Sequence, residues 1–177
     1  MRRNRRRRPL AVAPLLVLFG GGTLAAELPG NWNLVVGQDP QSYATVVSLT
    51  QDSANSIPDE YAREQLHPQL AFRCVPGPSA AISVRVDWRR FISSFNTEVG
   101  FKVDEKELLL VNWGVDRSNK ITLPRSGTDS RELIDYLQAG SQLQIEVIPY
   151  SGSLVTVRYD ISGIDEALVA LMSKCTE

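Results

Sequence analysis

"LVTVRYDISGIDEALVALMSKC", residues 154–175, changes its periodicity half-way along. The first part, "LVTVRYDIS", reads as a β-strand, rich in β-branched and aromatic residues. Beyond it Ile164, Leu168, Leu171, Met172 and Cys175 recur at helical spacing and mark one apolar stripe. Ser162 and Asp165 have the spacing of a capping box, which starts the helix there. A strand that runs into an amphipathic helix, with a cysteine on the buried stripe near the chain's end, sets the fold class. It is α+β, mostly antiparallel hairpins in a sheet or sandwich with two helices, the last one laid on the strands and expected to be clamped there through its cysteine.

Working back from that stretch, most of the chain reads as antiparallel hairpins. "QLQIEVIPY" (142–150) and "LVTVRYDIS" flank the turn residues Ser151, Gly152 and Ser153. "TEVGFKVDEKELLLVNWGVD" (97–116) puts Val99, Phe101 and Val103 on one face before a polar tip, and Leu109, Val111, Trp113 and Val115 on one face after it. Asp104, Glu105, Lys106 and Glu107 form that tip and read as a solvated turn. In "QLAFRCVPGP" (69–78) a strand stops at Pro-Gly-Pro. "AISVRVDW" (81–88) returns with Ile82, Val84, Val86 and Trp88 inward and Ser83, Arg85 and Asp87 outward. Near the start, "NWNLVV" (31–36) aligns Trp32, Leu34 and Val36, and "SYATVVSLT" (42–50) aligns Tyr43, Thr45, Val47 and Leu49. "SANSIPDEYAREQLHP" (53–68) reads as an irregular loop or a short helical turn. A further helix is expected over "DSRELIDYLQAG" (129–140), capped by Asp129 with Glu132 returning the bond and closed by Gly140.

The first 26 residues have a different character. Arg2, Arg3, Arg5, Arg6, Arg7 and Arg8 precede an apolar stretch from Leu10 to about Phe19 and a small-residue exit, the layout of a secretory signal peptide. The apolar part falls short of the ~20 residues a membrane helix needs. Cleavage is expected after Ala26. It would leave one domain of residues 27–177 with no stable membrane insertion, the alternatives being an uncleaved anchor or a basic arm. The chain has 19 Lys and Arg and 20 Asp and Glu. Without the six leader arginines, 13 basic residues face 20 acidic ones, a net charge of −7. Such a domain repels phosphate backbones, so nucleic acid is not an expected partner.

Export also bears on the two cysteines, Cys74 and Cys175. An oxidising compartment and an even count allow one intrachain bridge between them; the alternative is two buried free thiols.

Candidate chemistry is sparse. His67, the one histidine, precedes a proline in a loop without a G-x-S-x-G elbow, and reads as a surface residue rather than a member of a triad. No phosphate-binding glycine loop, dinucleotide fingerprint or zinc-ligand spacing is present. Trp88, Arg89, Arg90 and Phe91 mix aromatics with charge and read as a strand end with snorkelling arginines. No catalytic, cofactor-binding or metal-binding residues are assigned. The expectation is binding rather than catalysis, with a small envelope hydrolase using His67 as the weakest alternative.

Read in order, the chain after the leader resembles the VasI/TagO family of type VI secretion-associated proteins. The resemblance rests on spaced residues. They are the opening "WNLVV" and "SYATVVSLTQD"; "PQLAFRC" with Arg73 and Cys74; and "VNWGVDRSNKITL" with Trp113. The last is "IPYSGSLVTVRYDISGIDEALVALMSKC" with Pro149, Tyr150, Asp160, Ser162, Gly163 and Cys175. Gly114 and Tyr159 depart from the family pattern, where serine and phenylalanine are expected. The resemblance implies a periplasmic accessory protein that binds envelope or secretion-apparatus proteins, without cofactor or enzymatic activity. A general periplasmic binding module outside type VI secretion is the alternative.

Overall fold

A computed structural model of the chain describes residues 28–39, 42–150 and 152–176. The expected leader, its cleavage site and Ser151 lie outside these residues. The strands are β1 (Asn33–Gln38), β2 (Thr45–Asp52), β3 (Ile57–Pro58), β4 (Gln65–Leu66), β5 (Gln69–Cys74), β6 (Ser83–Asp87), β7 (Thr97–Val103), β8 (Leu109–Val115), β9 (Ile121–Leu123), β10 (Gln142–Val147) and β11 (Val155–Asp160). Helix α1 spans Gly127–Leu137 between β9 and β10, and α2 spans Ile164–Thr176 after β11. The fold is α+β, as the periodicity predicts.

Nine strands form one antiparallel sheet in the order β1-β2-β5-β6-β9-β8-β7-β10-β11. The three expected hairpins are present as β5–β6, β7–β8 and β10–β11. The short strand β9 was not read from the sequence, yet it joins the two halves. It pairs with β6 on one side and with Gly114 and Val115 of β8 on the other. β8 therefore changes partner along its length, leaving β7 for β9 just after Trp113. The buried Trp88 donates its Nε1–H to Thr122 Oγ1 at 3.0 Å, locking β9 in place.

The far edge of the sheet is closed by a side chain. Asn55 Nδ2 donates to Thr156 O at 3.0 Å, and Arg158 N donates to Asn55 Oδ1 at 2.8 Å. An amide that both donates to and accepts from a backbone imitates a strand, so β11 does not present a bare edge there. Gln51 Nε2 to Asp160 O and Tyr159 Oη to Pro68 O continue the seam. Tyr159, the departure noted above, uses its hydroxyl in this way. Its burial pushes the phenol pKa well up, keeping it a neutral donor.

The core runs through the sheet and under both helices. It includes Leu49, Leu70, Phe72, Val86, Trp88, Phe101, Trp113, Ile145, Tyr159 and Leu171. Helix α2 packs on β2 and β5. Its buried positions are Ile164, Ala167, Leu168, Leu171 and Cys175, with Met172 half-buried at the margin.

Local polar groups override the period-two reading in several places. Asp39 accepts from Ser42 N through Oδ1 and from Tyr43 N through its carbonyl. That turn holds Tyr43 at φ +57 and 78% exposed, so the strand begins only at Thr45. Val36 is 62% exposed because β1 pairs only with β2 among the described residues. Leu109, Val111 and Val115 are only half-buried. The stretch 53–68 contains the small β3–β4 hairpin, anchored by buried Ile57 and organised by the Asp59 carboxylate. Asp104 is more than a solvated turn residue. It accepts from Ser141 N, Ser141 Oγ and Gln142 N.

Both helix caps also differ from the expected ones. Ser126 caps α1, accepting from Asp129 N, because the helix starts three residues earlier than a cap at Asp129 predicts. At its end Ala139, at φ +57, takes the left-handed position. Gly140 is needed instead for close approach, since a Cβ there would sit 2.4 Å from Val103 Cγ1. At α2 the Asp165 carboxylate accepts from Ala139 N across the gap between the helices, while Ser162 N donates to Asp160 Oδ1.

Candidate functional site

Cys74 ends β5 and Cys175 sits in the last turn of α2; they form a disulfide with Cα atoms 6.3 Å apart. The free-thiol alternative is thereby set aside. The other end of α2 is fixed by backbone shape. Gly163 has φ +72, and a Cβ on it would lie 2.7 Å from Pro29 Cβ. Gly30, at φ +77, crosses the Ser162 carbonyl, which a Cβ there would meet at 2.5 Å. Two glycines in left-handed conformations thus let the segment before β1 cross the start of α2 in contact. Asp160, Ser162, Gly163 and Cys175 share one structural task, attaching α2 at both ends.

The remaining residues singled out from the sequence lie apart. Trp113 is buried and packs tilted on Phe101 at 4.9 Å between ring centroids. Pro149 is buried at the β10–β11 connection, while Tyr150 is 80% exposed and held by its N–H to Ile92 O. His67 is exposed, with Nδ1 2.8 Å from Ser53 O, which fixes that nitrogen as the donor. Arg90 does not snorkel; it is buried and donates to Pro58 O. Its neighbour Arg89 pairs with Asp52 at 2.7 Å. Among the described residues no three His, Cys, Asp or Glu side chains gather as metal ligands, and no helix is long and apolar enough to cross a membrane.

Arg73 opens onto a different feature. Beside the disulfide lies a cleft of about 370 Å³, lined by Asp39, Ser42, Arg73, Ser79, Ser83 and Arg85 among others. The β5–β6 register pairs Ala71 with Arg85 and Arg73 with Ser83. The two arginines are therefore diagonal neighbours on one face of the sheet, roughly 7–8 Å apart at Cα. Arg73 Nη2 pairs with Asp39 Oδ2 at 3.1 Å, both side chains mostly buried. The Arg85 side chain makes no hydrogen bond to a described residue, and its Nε is buried without a partner. Burial and then the adjacent Arg73 hold Arg85 below the ordinary arginine range, against the pull of the Asp39, Asp116 and Asp87 carboxylates. Sequence reading placed Arg85 outward with Ser83 and Asp87 but could not see Asp39 across the sheet.

No family model matches the chain, and no curated protein does. Among solved structures the chain is similar to invasion associated protein B from Bartonella henselae. The identity is 16% over 84% of this chain and 95% of that one, with a TM-score of 0.48. At that level the likeness bears on neither the fold nor the site.

Proposed function

We infer that this is an exported envelope domain that acts by binding an extended protein segment, as a periplasmic accessory of a type VI secretion system. The observation that carries the binding part is the unequal treatment of the two sheet edges. Asn55 and its neighbours close β11. β1 pairs only with β2 among the described residues and has no charged side chain over its six residues, "NLVVGQ". Val35 and Val36, 52% and 62% exposed, stand on its two faces. Folded proteins ordinarily blunt such an edge with charge, proline or a bulge. An uncharged edge suits strand addition, in which main-chain bonds hold the partner and side chains on alternate faces select it. The disulfide supports export, and the VasI/TagO resemblance supports the type VI setting.

A cross-linked pull-down from the protein's own envelope, read by mass spectrometry, tests this, with a Val36→Lys variant alongside. Recovery of type VI membrane-complex or baseplate proteins, lost in Val36→Lys, is the expected result. Recovery of unrelated envelope proteins, lost in the same variant, would keep strand addition and replace the type VI setting by a general binding module. Recovery of this chain alone would mean that β1 pairs with a second copy. A recovered set unchanged by Val36→Lys would overturn the edge as the binding element.

A further inference from the structure

We propose that the cleft between Arg73 and Arg85 is a binding site for a small singly charged carboxylate. The site lies on the sheet face beside the disulfide, and the proposal does not rest on strand addition at β1. Three observations carry it. First, the wall holds two guanidinium groups and one carboxylate, a surplus of one positive charge. Second, the carboxylate is committed. Asp39 Oδ2 pairs with Arg73, and Oδ1 accepts from Ser42 N and Ser42 Oγ. Third, Arg85 lacks an acceptor, although its Nε is buried. Buried polar atoms in folded proteins almost always have partners, and an unpaired guanidinium that lines an open cleft points to a ligand met by its Nη groups.

The other carboxylates near Arg85 do not supply that acceptor. Asp87 Oδ1 accepts from Arg89 N at 2.8 Å. Asp116 Oδ1 accepts from Ser118 N, Ser118 Oγ and Ile121 N. Each orders its own loop in this way and makes no hydrogen bond to Arg85. They still favour a singly charged ligand, because their charges, with that of Asp39, would repel a doubly charged phosphate at Arg85 more strongly. A carboxylate matches the planar fork of a guanidinium, and a wall containing Val46, Val75 and Ala81 offers an aliphatic substituent apolar contact. Ser42 and Ser83 already donate, to Asp39 and to the Arg73 carbonyl, which leaves the Ser79 hydroxyl as a further donor at the rim. The cleft volume is that of a site for a small molecule or a chain terminus.

The test follows, by NMR of the full protein, the Arg85 Nε–H resonance together with the Arg73 Nε–H and the Ser79 and Ser83 backbone amides, which also report binding in an Arg85→Lys variant. Sodium acetate, acetyl-alanyl-alanine, its C-terminal amide and inorganic phosphate are titrated at constant ionic strength against sodium chloride. A saturable shift with acetate or the peptide acid, absent with the amide and with chloride, is the expected result. Tighter binding of the peptide acid than of acetate would name a chain terminus as the source, and equal binding a free small acid. Arg85→Lys keeps the charge without the fork and should weaken binding about tenfold or more, the loss of a charge-assisted hydrogen bond. Asp39→Asn removes the competing charge and should tighten it, a gain that misfolding cannot imitate. A shift matched by chloride, phosphate binding tighter than acetate, or unchanged affinity in Arg85→Lys would each overturn the proposal.

Discussion

Replacing both cysteines by alanine removes the bridge between β5 and α2 without leaving a buried hydroxyl, since Cys74 and Cys175 are 2% and 0% exposed. The bridge spans 101 residues. On the loop-entropy account, closing ~100 residues destabilises the unfolded chain by about 4.7 kcal/mol. Domains of this size hold only about 5–15 kcal/mol in total, so the loss would remove much of the stability. At roughly 2–4 °C per kcal/mol, the melting temperature should fall by about 9–19 °C. Circular dichroism melts of the oxidised protein and of the Cys74→Ala/Cys175→Ala variant read this directly. Oxidised protein treated with reductant before heating should move towards the variant. The loss should also be local at first, with the last turns of α2 exchanging their amides soonest, because Gly163 and Pro29 still hold the helix's other end. A fall of less than about 3 °C, worth about 1 kcal/mol, would refute the view that the bridge clamps the fold.

Other positions give independent tests. Gly163→Ala places a Cβ against Pro29 at a left-handed φ and should cost roughly 1–3 kcal/mol, read as a lower urea midpoint. Ala139→Gly should instead raise the midpoint, by roughly 0.5–1 kcal/mol, because Ala139 already occupies a left-handed conformation that glycine adopts freely; a lower midpoint would contradict the assigned helix end. The Asp104 carboxyl is held below its ordinary value of 3.8 by the Ser141 N–H, the Ser141 hydroxyl and the Gln142 N–H. Its contribution to stability is therefore present above that value and lost as pH falls through the lower folded value. Asp104→Asn should lower the urea midpoint at pH 7 and flatten its decline below about pH 4, and equal midpoints at pH 7 would contradict the three bonds.

What was legible in the sequence was whatever rests on strong periodicity. The alternation at Val84, Val86 and Trp88 and the stripe from Ile164 to Cys175 place their residues in the core without reference to distant chain. β9 escaped notice because three residues carry no period, and its pairing with β6 is decided by tertiary contacts. The caps slipped for a related reason. Ser126 and Asp129 both satisfy the local rule, and which one begins the helix depends on how the chain arrives from β9. Gly140 and Gly163 look alike as turn residues, yet one serves close packing and the other a left-handed backbone. Of the candidate sites, the disulfide followed from the cysteine count, whereas the Arg73–Arg85 cleft depends on the register of β5 and β6 and on Asp39 from another turn. Asn55 acting as a strand, and hence the contrast between closed and open sheet edges, belongs to the same class of long-range information.

That contrast carries the functional account, and amide hydrogen exchange tests it most directly. The protein is compared alone and with the partner captured from its envelope. The account predicts that the partner slows exchange in β1, Asn33–Gln38, with little change in β11, whose edge Asn55 already closes. Unchanged exchange in β1, with new protection elsewhere on the surface, would contradict it.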